Sequence, residues 1–317
     1  MYKDKTIGVV IPAYNEEKLI SRVINTMPSF VDVIVVVDDA SKDDTSNIVK
    51  KHQIDLGERL VLIRHEENKG VGGAISTGYQ WCRDHEIDVA VVMAGDGQMD
   101  PGDMINLIDP VVDNEVDYSK GNRLITGEAW NKIPRVRYLG NAMLSLLTKI
   151  ASGYWHIADS QTGYTAISLK VLKTIPLEKI YPRYGMPNDM LVKLNVYNFR
   201  VRDVEIKPIY GIGEKSGIKP IRMIPRLSWL VMKLFIWRMV QKYIIRDFHP
   251  LIFFYILAVI LLGIAMPFLT IRLIYYWINV GHIPPINALS LMFVTITGLQ
   301  FLLFAMWFDM EYNRHLR

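Results

Sequence analysis

The 317-residue chain has one cysteine, Cys82, so no internal disulfide can form and nothing requires an oxidising compartment. It lacks internal repeats and low-complexity stretches. It also lacks a Gly-x-Gly-x-x-Gly turn after its first strand-like run. PAYNEE stands there instead, which argues against a dinucleotide-binding Rossmann domain. Charge is missing from two long runs, residues 251–271 and 287–308, each of which reaches the ~20 residues needed to cross a bilayer. Acid is scarce from Lys219 onward, with three Asp and Glu against ten Lys and Arg. That segment therefore carries +7, and residues 1–218 carry −3 of the overall +4. A basic excess among the most apolar segments points to a membrane surface rather than to nucleic acid. No cleavable leader is expected, because MYKDKTIGVVIP runs straight into a strand-like segment.

What is present is a regular alternation. Short β-branched runs at 6–12, 31–39, 59–65, 88–94 and 116–121 are separated by segments of helical period near 16–27, 43–52, 69–84 and 101–112. This predicts βαβ units and a mostly parallel sheet with helices on both faces, an α/β fold. Asn15 before Glu16 and Glu17, and Ser41 before Asp43 and Asp44, read as helix starts. Beyond 125 a helix at 134–152 and strands near 163–168 and 200–206 are expected. Residues 219–248 interleave Leu, Ile, Trp and Phe with seven Lys and Arg, and Pro220 and Pro225 break the start. Lys233 and Arg238 suit a spanning helix poorly, so this segment is expected to lie in the membrane interface. The connector between the two uncharged runs has no Lys or Arg, whereas Lys242, Arg246, Arg314 and Arg317 flank them. Both ends of the hairpin then face the cytoplasm, and Arg272 must snorkel toward the far side.

Ligands of open α/β sheets bind beyond the carboxyl ends of the strands, and four strand ends here carry polar residues. Pro12 and Tyr14 can wall a base, and Asp38 or Asp39 can accept from a base or ribose. Gly70, Gly72 and Gly73 open a helix and permit close backbone approach to a phosphate, with Lys69 beside them. In AGDGQMD, Asp96 and Gln98 offer hard oxygen ligands for a divalent cation, and Asp100 reads as a cap for the helix at Pro101.

In this order PAYNEE, DDASKDDT, NKGVGGA and DGQ resemble family 2 glycosyltransferases of GT-A fold. GNR (121–123), DSQTGY (159–164) and the C-terminal hairpin look like the branch that loads sugars onto polyprenyl phosphates. The resemblance covers nearly the whole chain and is closest in residues 6–125. It implies a catalytic domain at 1–218, amphipathic interfacial helices at 219–248 and a transmembrane hairpin at 249–317. It implies an integral membrane enzyme, with catalytic domain and both termini cytoplasmic, moving one hexosyl unit from a UDP- or GDP-linked donor to a polyprenyl phosphate. It places the nucleotide around Pro12, Tyr14, Glu16 and Asp39, and Mg²⁺ or Mn²⁺ on Asp96 and Gln98. Asp159 and Gln161 fall where the family positions donor sugar or acceptor, with general base as a lesser role for Asp159. Arg123, Arg135 and Arg137 fall where it holds the incoming phosphate, and Lys215 and Ser216 where a mobile loop closes over the diphosphate. Ala94 departs from the pattern, since the family has an Asp there. A processive synthase would bring QxxRW and more spans, both missing here. A catalytically silent membrane scaffold is the other alternative, supported by Ala94 alone. Donor identity and homo-oligomerisation stay open.

Overall fold

Runs of β-branched residues flanked by helices on both sides form a seven-stranded sheet. A computed structural model describes residues 1–124, 135–207 and 220–317, with backbone alone for 135–141 and 220–224. The strands are β1 (Ile7–Ala13), β2 (Val33–Asp38), β3 (Leu60–Arg64), β4 (Val89–Val92), β5 (Tyr118–Asn122), β6 (Thr165–Ser168) and β7 (Val201–Glu205), ordered β3-β2-β1-β4-β6-β5-β7. β1 pairs in parallel with β2 and β4, β2 with β3, and β5 with β7; β6 runs antiparallel between β4 and β5. A parallel sheet covered on both faces needs apolar residues at both phases of the strand repeat. β2 supplies them: Val33, Val35 and Val37 enter one core, Ile34 and Val36 the other. Each buried Val or Ile contributes about 1.5–3 kcal/mol relative to exposure.

The expected strands all form. The expected first helix is cut to α1 (Ile20–Asn25). The sequence reads residues 15–17 and 41–44 as helix starts, but the two segments join each other instead. Asn15 N donates to Ser41 Oγ at 2.9 Å, and Lys42 N donates to Asn15 Oδ1 at 2.8 Å. Glu16 N donates to Thr45 Oγ1 at 2.9 Å, and Glu17 N to Asp43 Oδ2 at 3.1 Å. Asn15 and Ala40 take positive φ, 57° and 61°, to make this zipper. Asn is tolerant of that region; Ala is held there by its surroundings. α2 (Thr45–Leu56), α3 (Val71–Asp84), α4 (Met104–Val112), α5 (Arg135–Ser152), α6 (Leu169–Thr174) and α7 (Met186–Val196) complete the sheet's cover.

The chain divides into two units, Met1–Phe235 with His315–Arg317, and Ile236–Arg314. A helix, α8 (Pro220–Val240), runs through Pro225 rather than breaking there, and a π-helical turn follows at Gln241–Arg246. The second unit holds two long apolar helices, α9 (Leu251–Val280) and α10 (Pro285–Tyr312). Only 22% and 11% of their most apolar windows are buried, unlike core helices of a water-soluble fold. Arg238 does not face lipid headgroups as the interfacial reading expects. It is fully buried and forks onto Asp309 of α10 at 2.8 and 2.9 Å. Burial without a carboxylate would leave an uncompensated charge, so the pair outweighs the interfacial preference.

Candidate active site

The strand ends converge because the sheet is parallel from β3 to β4 and its carboxyl ends share one edge. Beyond β4 the chain keeps pairing with β1, with Met93 N on Val10 O at 3.0 Å and Gly95 N on Pro12 O at 3.3 Å. This carries Asp96 to the end of β1, beside Glu16. Burial pushes the Glu16 carboxyl up to about 7, and the neighbouring charges of Asp96 and Asp43 add to the rise. Asp96 Oδ1 also accepts Gln98 N at 3.0 Å, closing a tight turn with Gly97 at φ 68°. Asp100 caps, as its position suggests: its Oδ1 accepts Gly102 N at 2.8 Å.

A cavity of about 650 Å³ opens at the ends of β1, β2 and β3, walled by Tyr14, Ala40, Lys42 and residues 64–68. Tyr14 is 43% exposed, so its ring is available to a flat ligand. The other expected base contacts lie differently. Pro12 is buried within β1 and does not line the cavity. Asp38 is fully buried, accepting Ser41 N at 2.9 Å and Ser46 Oγ, with Arg64 Nε 3.6 Å away. Asp39 is equally engaged: Oδ1 meets His65 Nδ1 at 2.7 Å and Lys69 N at 2.8 Å, and Oδ2 accepts Gly70 N at 2.8 Å. A carboxylate has about four lone-pair sites, so little capacity is left for a ligand. Both aspartates shape the loops behind the cavity.

The glycines at the start of α3 are likewise used by the protein. Gly70 has φ 84°, and an added Cβ would sit 2.5 Å from Pro182 O; at Gly72 it would sit 2.2 Å from Tyr181 O. Gly73 N donates to Pro182 O at 3.1 Å. These glycines admit the 181–182 backbone rather than a phosphate, and the Lys69 and Gly70 amides are spent on Asp39. Of this group, Lys69's side chain alone keeps the phosphate-facing reading.

Asp159 and Arg123, expected to serve donor sugar and phosphate separately, bind each other. Arg123 Nε donates to Asp159 Oδ2 at 2.7 Å and Nη2 to Oδ1 at 3.2 Å. Although burial alone would raise it, the Arg123 guanidinium holds the Asp159 carboxyl below the usual range. A buried, forked carboxylate of low basicity is a poor general base, so the geometry suits positioning rather than proton abstraction. Gln161 N donates to Asp159 Oδ1 at 3.1 Å, and Gln161 Nε2 reaches Asn188 Oδ1 at 2.8 Å. Arg135 and Arg137 fall in the first turn of α5, but their side chains, like Lys215 and Ser216 entirely, lie outside the described residues.

Sequence reasoning missed His65, Lys42 and Arg64. His65 is buried between Asp39 and Thr77, whose Oγ1 lies 2.9 Å from Nε2. Asp38 pairs with Arg64 in register, which sets His65 beside Asp39 one step on. The register, unreadable from one strand alone, is the signal.

The profile described as Glycosyl transferase family 2 matches residues 8–175, more than half of the chain. The chain belongs to that family. It is a glycosyltransferase, and the matched span contains the β1–β4 edge, the cavity, Asp96 and the Arg123–Asp159 fork. Among relatives, the UDP-N-acetylglucosamine–dolichyl-phosphate N-acetylglucosaminyltransferase of Methanococcus voltae is 34% identical over 219 residues, 65% of this chain and 87% of that protein. The undecaprenyl-phosphate mannosyltransferase of Micrococcus luteus is 28% identical over 201 residues, 62% of this chain and 81% of that one. A crystal structure of glucosyl-3-phosphoglycerate synthase from Mycobacterium tuberculosis with Mn²⁺, UDP and phosphoglyceric acid superposes with a TM-score of 0.54. That match covers 74% of this chain and 78% of the other at 21% identity, a likeness of GT-A fold.

Proposed function

We propose that the protein transfers a single hexosyl unit, with inversion, from a nucleoside-diphosphate sugar to a polyprenyl phosphate at the cytoplasmic face of a membrane. The observation that carries this reading is one chain holding both a cavity at the carboxyl ends of β1 to β3 and two long, mostly exposed apolar helices. The M. voltae and M. luteus relatives, named for dolichyl- and undecaprenyl-phosphate transfer, support the acceptor class. The basic flanks of the hairpin support an orientation with both chain ends in the cytoplasm.

The nucleotide base lies against Tyr14 in the cavity, with Lys42 and Arg64 near enough to balance its phosphates. Asp96 and Gln98 would hold Mg²⁺ or Mn²⁺. Glu16, Asp96 and Asp43 lie close enough for their charges to act on one another, and such a group of carboxylates suits a cation. Among the described residues no three His, Cys, Asp or Glu form a metal cluster, so the diphosphate must complete the shell. Bound there, the cation offsets the charge that develops on the departing diphosphate. A phosphate oxygen of the lipid attacks the anomeric carbon in line as the bond to the diphosphate breaks, and the diphosphate leaves with the electron pair. The phosphate's second pKa is near ~6, so it arrives largely dianionic and no base is required. Arg123, steered by Asp159, orients the incoming phosphate.

Purified protein given labelled nucleotide sugars and a polyprenyl phosphate should yield organic-extractable label that requires a divalent metal. A polymeric product would favour a processive synthase, and no transfer from any donor would favour the silent scaffold. Asp96→Ala should lower transfer by about 100-fold or more, the scale for losing one group that stabilises developing charge, with unfolding temperature preserved. Undiminished transfer would refute the metal assignment.

A further inference from the structure

β5 is an interior strand, second from the sheet's edge, yet Lys120 sits on it fully buried, in register with Thr165 of β6 and Asp203 of β7. An interior strand of a doubly covered sheet needs no charge for stability, and burying one is costly. Lys120 Nζ donates to Thr162 O at 2.5 Å. Asp203 Oδ2 accepts Ala158 N at 2.6 Å and Asn122 Nδ2 at 2.7 Å. Asn122 in turn accepts Leu124 N on its Oδ1 at 2.8 Å. Two opposite charges thus grip the 158–162 loop at its two ends. The same Asp203 reaches, through Asn122, the backbone that flanks Arg123. Among the described residues Asp203 Oδ1 meets no hydrogen-bond partner, so half of this carboxylate is buried without compensation. A group kept purely for stability would not carry that cost.

We infer that Lys120 and Asp203 are positioning residues that hold both halves of the Arg123–Asp159 fork in register for the incoming phosphate. This rests on the transferase reading above. Neither residue touches substrate; each acts through the backbone on either side of the fork. Burial drives the Lys120 ammonium down to about 8 and the Asp203 carboxyl up to about 6, while the attraction between them opposes both shifts. Near neutral pH both charges therefore persist. Asp159 and Arg123 are the other charged groups acting on this pair.

Lys120→Met and Asp203→Leu test the grip. Each should lower kcat about 10- to 100-fold, the scale of a sub-ångström to 1 Å misplacement, while KM for the nucleotide sugar, bound at the β1–β3 edge, stays within about twofold. Amide hydrogen exchange should accelerate within 158–162 in both variants. Asp203→Asn retains an oxygen for Ala158 N and Asn122 Nδ2 and should recover most of the lost kcat. Should Asp203→Leu fail to fold, Asn122→Ala removes only the relay to Leu124 and carries the same expected loss of kcat. Folded variants with unchanged kcat and unchanged exchange overturn the inference, as does a rise in KM with kcat intact. If the wild type transfers no sugar, the transferase reading fails; exchange at 158–162 then still decides whether the grip exists.

Discussion

Two arginine–carboxylate forks stand among the described residues, and they differ in how far the cation is enclosed. Arg238 and Asp309 are both fully buried in the helical unit. Asp309 also accepts the Tyr243 hydroxyl and Asn313 Nδ2, the latter at 3.0 Å, and Lys242 Nζ reaches Asn313 Oδ1 at 2.7 Å. The Arg238 and Asp309 charges are enclosed and answer each other. In the Arg123–Asp159 fork the carboxylate is buried, but the arginine side chain keeps 18% of its surface exposed. The same bidentate chemistry is a closed staple in one place and a half-open pair in the other, which is where we propose that an incoming anion is guided. Burial of the cation, rather than the pairing itself, separates the two.

The comparison can be broken most sharply at the closed fork. Asp309→Ala leaves Arg238 buried alone and should cost about 3–5 kcal/mol, read as a lower midpoint of unfolding in detergent. Replacing the whole pair, Arg238→Met with Asp309→Leu, should restore most of that loss. If the single variant unfolds like wild type, the staple reading is wrong. Asp159→Asn at the open fork should do the reverse: transfer falls about 100-fold through lost orientation, with a smaller change in midpoint than Asp309→Ala. Equal destabilisation by the two would erase the distinction.

The smallest effect concerns the support behind the open fork. Asp203 holds its proton up to about pH 6 in the folded chain and releases it near the ordinary ~3.9 when unfolded. Between those values the folded state binds more protons, so this group's contribution to stability falls as pH rises from about 4 to 6. Asp203→Asn has no such proton. Its midpoint relative to wild type should therefore climb across that window and level off above it. A constant offset would show that Asp203 titrates as a solvated carboxylate.

Much of the fold was legible because its signals are local. β-branched runs of four to seven residues announce strands wherever they fall, and all seven expected strands form. The uncharged runs announce α9 and α10 in the same way. Asp100 could be read as a cap because its partner, Gly102 N, lies two residues away. Misreadings occurred where a local signal had a distant competitor. Asn15 and Ser41 carry helix-start chemistry, but each found the other's backbone loop 26 residues off. Gly70 and Gly72 look like a phosphate cradle until the 181–182 backbone occupies the space. Asp39 looks like a ribose acceptor until His65 and the Lys69 and Gly70 amides fill its oxygens.

By itself the sequence determined the alternation of strands and helices, the apolar helices and the residue types at each strand end. Those follow from side-chain periodicity and composition, which act over a few residues. The tertiary structure alone decided which polar groups face a ligand and which face one another. It joined Arg123 to Asp159, Arg238 to Asp309, and Lys120 and Asp203 to the two ends of one loop. A buried charge must find a partner wherever the chain brings one, and strand order and register fix that meeting, not distance along the chain.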